Sequence, residues 1–297
     1  MADIDSLETF AAAVRTGSFA GAARVLGITP AMVGRRIQGL EARFGVRLIE
    51  RTTRAQRLTE AGERFLVHAQ TVLDAVSDLD ESMRAAPGQL EGRIRMTGPA
   101  TLGTYRLAAI VGRFCEANPA VTVEMVLSDR RADLIAEGFD FAVRIGELQS
   151  SSMIGQAIGT YRLVLVATPG YVDRHGAPTS PVELGSARCL INLNMSPRNR
   201  WPFMRGGTRE VAEVAGGLQI DNGEALRAAT LEGAGISYLP LDLVQDDIAT
   251  GALIQLLPEW QTLTLPINLL YPTRRTPRRV SALMHLFTTE LRQSHPL

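Results

Sequence analysis

The sequence contains no lysine: all 31 of its basic residues are arginines. Every cationic contact must therefore come from a planar guanidinium, a group suited to bidentate recognition of phosphate and of guanine edges. Cysteine is nearly absent as well. Cys115 and Cys189 lie 74 positions apart, which predicts two reduced thiols, with a redox switch through the pair as the alternative. His68, His175, His285 and His295 are scattered, with no two at metal-ligand spacing, so neither a metal nor a cofactor is expected. No run of eighteen apolar residues exists, so no helix should span a bilayer. The opening MADIDSLETF lacks a basic-then-apolar leader, which predicts a cytoplasmic chain with no membrane partner. A glycine-rich phosphate loop, a G-x-S-x-G elbow and a cysteine–histidine pair are all missing. That removes the sequence grounds for an enzyme, although carboxylates such as Asp129 and Glu147 are available.

What is present fits two domains. The chain has 297 residues, 45% of them hydrophobic, enough for a sizeable core. Its zero net charge hides an asymmetry. Residues 15–64 hold ten arginines against four glutamates, a net +6, which leaves −6 for the remainder. A basic front on an acidic body predicts that one end meets a polyanion.

Within that basic window, Leu7, Phe10, Ala11 and Val14 share one helical face, and Gly17 ends the helix. Ser18 can cap a second helix built on small residues by accepting from Ala20 or Gly21. Gly27 ends that one, and Thr29 with Pro30 opens a third. Val33, Ile37, Leu40 and Phe44 turn one side of the third helix inward, so Arg35 and Arg36 are expected to point away from the core. The pattern is a helix-turn-helix. Its third helix would present Thr29, Ala31, Met32, Arg35 and Arg36 to a major groove, with Ser18 and Pro30 at the helix starts. Val46, Leu48 and Ile49 and then Gln56–Leu58 flank RTTRA, which predicts a hairpin wing offering Arg51, Thr53 and Arg54 to phosphates or the minor groove.

Residues 59–85 read as one long helix in which Phe65, Val72 and Leu79 alternate with Ala69, Val76 and Met83. Steps of three and four mark a coiled-coil seam and predict a homodimer, whose two-fold symmetry would grip two half-sites. The alternative is a single amphipathic helix lying on its own domain. A hinge follows at 85–92, AAPGQLEG. Beyond it, strands are predicted at 94–97, 121–127, 139–145, 163–167, 236–239, 253–257 and 265–271. Helices are predicted at 101–117, 131–137, 222–233 and 277–292. Such alternation implies a mostly parallel sheet covered on both faces.

The stretch LETFAAAVRTGSFAGAARVLGITPAMVGRRIQGLEARFGVRLIERTTRAQRLTEAGERFL resembles the winged helix-turn-helix of the LysR-type transcriptional regulators. LSDRRADLIAEGFDFAVRIGEL, VATPGYVDRHGAP and DNGEALRAATLEGAGISYLP are similar to the C-terminal half of one subgroup. The resemblance implies an all-α winged helix-turn-helix in residues 1–58, a linker and dimerisation helix in 59–86, and an α/β effector domain in 87–297. That domain would have two subdomains, like a periplasmic binding protein: about 92–160 with 267–297, and about 161–266. Implied partners are operator DNA, a small effector, further copies of the chain as a homodimer or homotetramer, and RNA polymerase. Two positions depart from the family, which usually has alanine at Met32 and serine at Gly34. The glycine removes a hydroxyl and weakens its helix by up to about 1 kcal/mol.

In folds of this kind a ligand sits outside the carboxyl ends of the strands, where helix N-termini offer free N–H groups. Thr97, Ala100 and Thr101 follow the first strand, Ser128 follows the second, and Arg144 ends the third. The resemblance adds Asn194 and Asn222 on the facing half. Donors and one arginine favour a small anion, such as an organic or aromatic acid. The alternative is that Thr101 caps its helix and Arg144 pairs with Glu147.

Overall fold

The computed structural model describes residues 3–51, 56–84, 89–130, 132–148, 153–272 and 276–294. The N-terminal part is built from α1 (Ile4–Thr16), α2 (Phe19–Leu26) and α3 (Pro30–Phe44). Each starts on a side-chain cap: Asp3 accepts from the Ser6 N–H, Ser18 from Gly21, and Thr29 from Met32. Each ends on a left-handed glycine, Gly17, Gly27 and Gly45, the conformation glycine adopts without a Cβ penalty. Leu7, Phe10, Val33, Ile37 and Leu40 fill the space between them. Gly21 is needed for steric reasons, because a Cβ there would stand 2.7 Å from Thr16 Cβ.

The wing forms as the sequence predicts. β1 (Ile49–Arg51) pairs antiparallel with β2 (Gln56–Leu58), Ile49 opposite Leu58. Glu41 of α3 fastens the wing, its Oε1 accepting from the Leu48 N–H at 2.8 Å and from Ile49 at 3.2 Å. Thr59 then caps α4 (Glu60–Arg84) by accepting from Gly62. The first turns of α4 belong to the N-terminal core. Phe65 packs edge-on to Phe10 and Phe44, and Leu66 and Ala69 are buried there. The expected seam therefore divides: Phe65 and Ala69 face their own domain, while Val72 and Leu79 are exposed and Val76 half-buried. The Met83 side chain, the tip residues Thr53 and Arg54, the Arg51 side chain and residues 85–88 of the hinge lie outside the described residues.

The C-terminal part opens with β3 (Gly92–Gly98). One continuous helical rod follows: α5 (Ala100–Leu102), a π-helical turn at Gly103–Leu107 and α6 (Ala108–Ala117). Then come β4 (Val121–Leu127), β5 (Phe141–Ile145) and the long β6 (Ile154–Ala167). After α7 (Pro169–His175) and a 3₁₀ turn at Pro181–Gly185 lie β7 (Cys189–Asn192), the hairpin β8 (Arg200–Arg205) and β9 (Thr208–Glu213), and β10 (Leu218–Ile220). The chain closes with α8 (Gly223–Leu231), β11 (Ile236–Pro240), α9 (Leu241–Thr250), β12 (Ile254–Gln255), β13 (Thr264–Tyr271) and α10 (Arg278–Ser294).

Among the described residues, nine strands form one sheet in the order β10-β7-β11-β6-β13-β5-β3-β4, with β12 also on β6. Two corrections to the sequence reading follow. The sheet is mixed rather than mostly parallel: β3 runs parallel to β4 and β5, and β7 to β10 and β11, but β6 and β13 pair antiparallel to their neighbours. These two strands stitch the halves together. The first half of β6 lies along β13, and Leu163–Val166 pass to β11.

The predicted helix at 131–137 is also absent, because residues 134–138 form turns. Asp133 Oδ1 accepts from the Ile135 and Ala136 N–H groups, a local bond that competes with the helical ladder, and Gly138 then takes φ 68°.

Candidate nucleic-acid interface and ligand cleft

On α3, Ala31, Met32 and Arg35 are exposed. Arg36 is not free. Its guanidinium donates to Asp5 Oδ2 at 2.7 Å and to Thr9 Oγ1 at 3.0 Å, so it ties α3 to α1 instead of pointing away from the core. The physical reason is geometric: the packing angle of the two helices brings Asp5 beside the flank of α3, a relation across 31 positions that helical periodicity cannot show. Ser18 and Thr29 spend their hydroxyl lone pairs on capping, and Pro30 sits in the first turn. Gly34 leaves room for a side chain, since an added Cβ would meet the Phe19 ring no closer than 3.6 Å.

The expected ligand cleft would lie where the start of α5 faces the start of α8. Ala100 stands at the N-terminus of α5, and its N–H donates to Asp129 Oδ1 at 3.2 Å. The protein's own carboxylate thus occupies a donor that a ligand anion would use. Thr97 is fully buried, and Thr101 nearly so. Thr101 faces the other half: a Cβ on Gly223 would stand 2.6 Å from its Oγ1. Asn222 caps α8 by accepting from Ala225 at 2.9 Å, and Asn194 Nδ2 donates to the Asp221 carbonyl at 2.5 Å. Ser128 Oγ accepts from the Arg130 N–H at 3.2 Å.

Arg144 donates to the Val143 carbonyl at 3.1 Å and the Arg130 carbonyl at 3.4 Å. Among the described residues it forms no ion pair, so the alternative pairing with Glu147 is not made. Partial burial raises the Asp129 carboxyl, opposed by the Ala100 N–H and by Arg144 and reinforced by the Asp221 charge.

Sequence reasoning missed the groups that bridge the cleft. The π-helical turn carries Arg106, whose Nη1 lies 3.2 Å from Asp242 Oδ1 of α9, 136 positions away. Next to it, burial and a hydrogen bond with Glu224 push the Tyr105 phenol up to about 12. No local pattern marks a pair so distant in sequence. Both cysteines are free thiols: Cys189 is buried, and desolvation pushes its thiol up to about 12, while Cys115 is half-buried.

Residues 4–63 match the family model described as bacterial regulatory helix-turn-helix protein, lysR family, and residues 87–292 match the LysR substrate binding domain. The HTH-type transcriptional regulator PtxR of Pseudomonas aeruginosa is 33% identical over 281 residues, covering 94% of this chain and 90% of that protein. The solved structure of CrgA, a LysR-type transcriptional regulator from Neisseria meningitidis, is 31% identical with a TM-score of 0.62 over 97% of this chain and 98% of that one. ArgP from Mycobacterium tuberculosis shares the fold, with a TM-score of 0.72 at 22% identity over 96% and 97% of the two chains. The chain therefore belongs to the LysR family of transcriptional regulators, with an N-terminal helix-turn-helix and a C-terminal effector-binding domain.

Proposed function

We propose that this regulator binds a small anion, an organic or aromatic acid, in the cleft between α5 and α8 and alters its grip on operator DNA in response. One observation carries the ligand class. Among the described residues Arg144, a permanent cation, forms no ion pair and donates to backbone carbonyls. The Asp129 and Glu137 charges act on it, and Asp129 fills the donor at the nearby helix start. A group that already accommodates one carboxylate suits another. Ala100, Thr101, Ser128, Asn194 and Asn222 would frame the ligand, and Thr97 would support them from beneath.

On the DNA side, Arg35, Ala31 and Met32 would enter the major groove, with the 51–54 wing tip on the backbone. Val72, Val76 and Leu79 would form the dimer seam. We assign residues 1–58 to DNA binding, 59–86 to the linker and 87–297 to the effector domain. No helix among the described residues is long and apolar enough to cross a membrane, and the cytoplasm is where operator DNA is met.

A thermal-shift screen of small carboxylates tests the ligand class. An effector at a hundred times its dissociation constant should add about 2.7 kcal/mol of stability, lost in Arg144→Ala. Stabilisation by amines, sugars or neutral compounds alone would remove the anion from the proposal.

A further inference from the structure

Residues 128–139, which join β4 to β5, touch the cleft at one end and the DNA-binding domain at the other. At the cleft end, Asp129 accepts from the Ala100 N–H, and the Arg130 carbonyl accepts from Arg144. At the far end, Ile135 packs against the core of the N-terminal domain, the same core that contains Leu66 and Ala69 of α4. Gly138 lies against the same domain from another direction: a Cβ there would stand 3.6 Å from Arg15 Cδ of α1.

The described residues of this segment are tied together: at the cleft end, Arg130 Nη2 lies 3.5 Å from the Glu137 carboxylate. Asp133 Oδ1 holds two N–H groups, Glu137 Oε1 accepts from the Asp133 N–H at 3.2 Å, and the Phe139 N–H donates to the Leu134 carbonyl at 2.8 Å. Leu134 and Phe139 anchor it in a small buried cluster.

We infer that this segment is a lever that carries cleft occupancy to the DNA-binding domain of the same chain. The inference rests on the reading of the cleft as an anion site. A bound anion competes with Asp129 for the Ala100 N–H and draws Arg144 from the Arg130 carbonyl. Both holds act on the first residues of the lever, and a segment so tied, moved at one end, moves at the other. Packed contacts such as that of Ile135 pass between discrete arrangements rather than stretch.

The test needs no ligand. Asp129→Ala frees the Ala100 donor, and hydrogen exchange of residues 4–16 and 60–73 reports the far end. The lever predicts a change of at least about fivefold in exchange there, the lower range of allosteric couplings. In the Ile135→Ala background, the same Asp129→Ala change should do nothing beyond residues 128–139. Equal effects in both backgrounds, or no effect of Asp129→Ala on α1 and α4, overturn the lever. Arg15→Ala serves as the second far-end variant if Ile135→Ala lowers the folded yield. Failure of the carboxylate screen would remove the anion reading alone, because exchange in Asp129→Ala still judges the mechanical link.

Discussion

Arg36 of the third helix is bonded to Asp5 of the first at 2.7 Å, so of the two adjacent arginines only Arg35 is exposed on the face that would meet DNA. The two should fail differently on substitution. Arg35→Ala should cost about 1–3 kcal/mol of operator affinity and relax one base position, with the thermal midpoint unchanged. Arg36→Ala should instead cost about 1 kcal/mol of stability and weaken binding evenly across sequences. Affinity measured against a panel of single-base operator variants separates the two. Loss of specificity in Arg36→Ala with Arg35→Ala silent would reverse the assignment.

Gly34 sits in the interior of α3, where an added Cβ would make ordinary van der Waals contact with the Phe19 ring at 3.6 Å. Gly34→Ser should therefore stabilise the domain, by up to about 1 kcal/mol for removing a helix-interior glycine. Thermal denaturation of the variant checks this, and destabilisation would show that the Phe19 ring cannot accommodate the added atoms.

How much of this could be read from the sequence depended on how local the cause was. The three helices of the N-terminal domain announced themselves because Ser18, Thr29 with Pro30, and the glycines act within a turn of where they stand. Arg36 could not be assigned, since the periodicity of α3 is silent about Asp5. The run 131–137 had helical composition, yet the Asp133 side chain diverted the N–H groups a helix needed. The first half of β6, IGQAIGTYR, is interrupted by Gly155 and Gly159, and pairing with β13 makes it a strand. That Ser128 follows β4 and Arg144 lies near the end of β5 was legible, whereas the placement of Tyr105 and Arg106 depended on a π-helical turn and on partners more than a hundred positions away.

Val72 is exposed on α4, and substitution there should leave the chain's own fold intact. As part of a dimer seam it would still be buried against the partner helix, where a charge is costly. Val72→Asp should therefore lower the mass in solution and the operator affinity while sparing the thermal midpoint. Light scattering that finds the unmodified chain monomeric at micromolar concentration would contradict the seam.

Glu124 of β4 lies between Arg95 and Arg93, and its hydrogen bond with Arg95 leads in holding its carboxyl below the usual range. A depressed folded pKa means that this contribution is present above the ordinary value of 4.5 and is lost as pH falls through the folded pKa. Glu124→Gln should remove about 0.2–1 kcal/mol at pH 7, and the gap to the unmodified chain should close as the pH drops below about 4.5. Denaturant titrations at pH 7, 5 and 3 measure it. A gap that widens on acidification would have the wrong sign.

Operator affinity measured with and without the acid that best stabilises the protein addresses the regulatory claim most directly. The duplex should be one selected by the unmodified chain from a random pool. Coupling between cleft and DNA predicts a change of about 5–150-fold in the dissociation constant, matched by an equal change in the acid's affinity when DNA is bound. An operator dissociation constant that stays the same at saturating acid would contradict it.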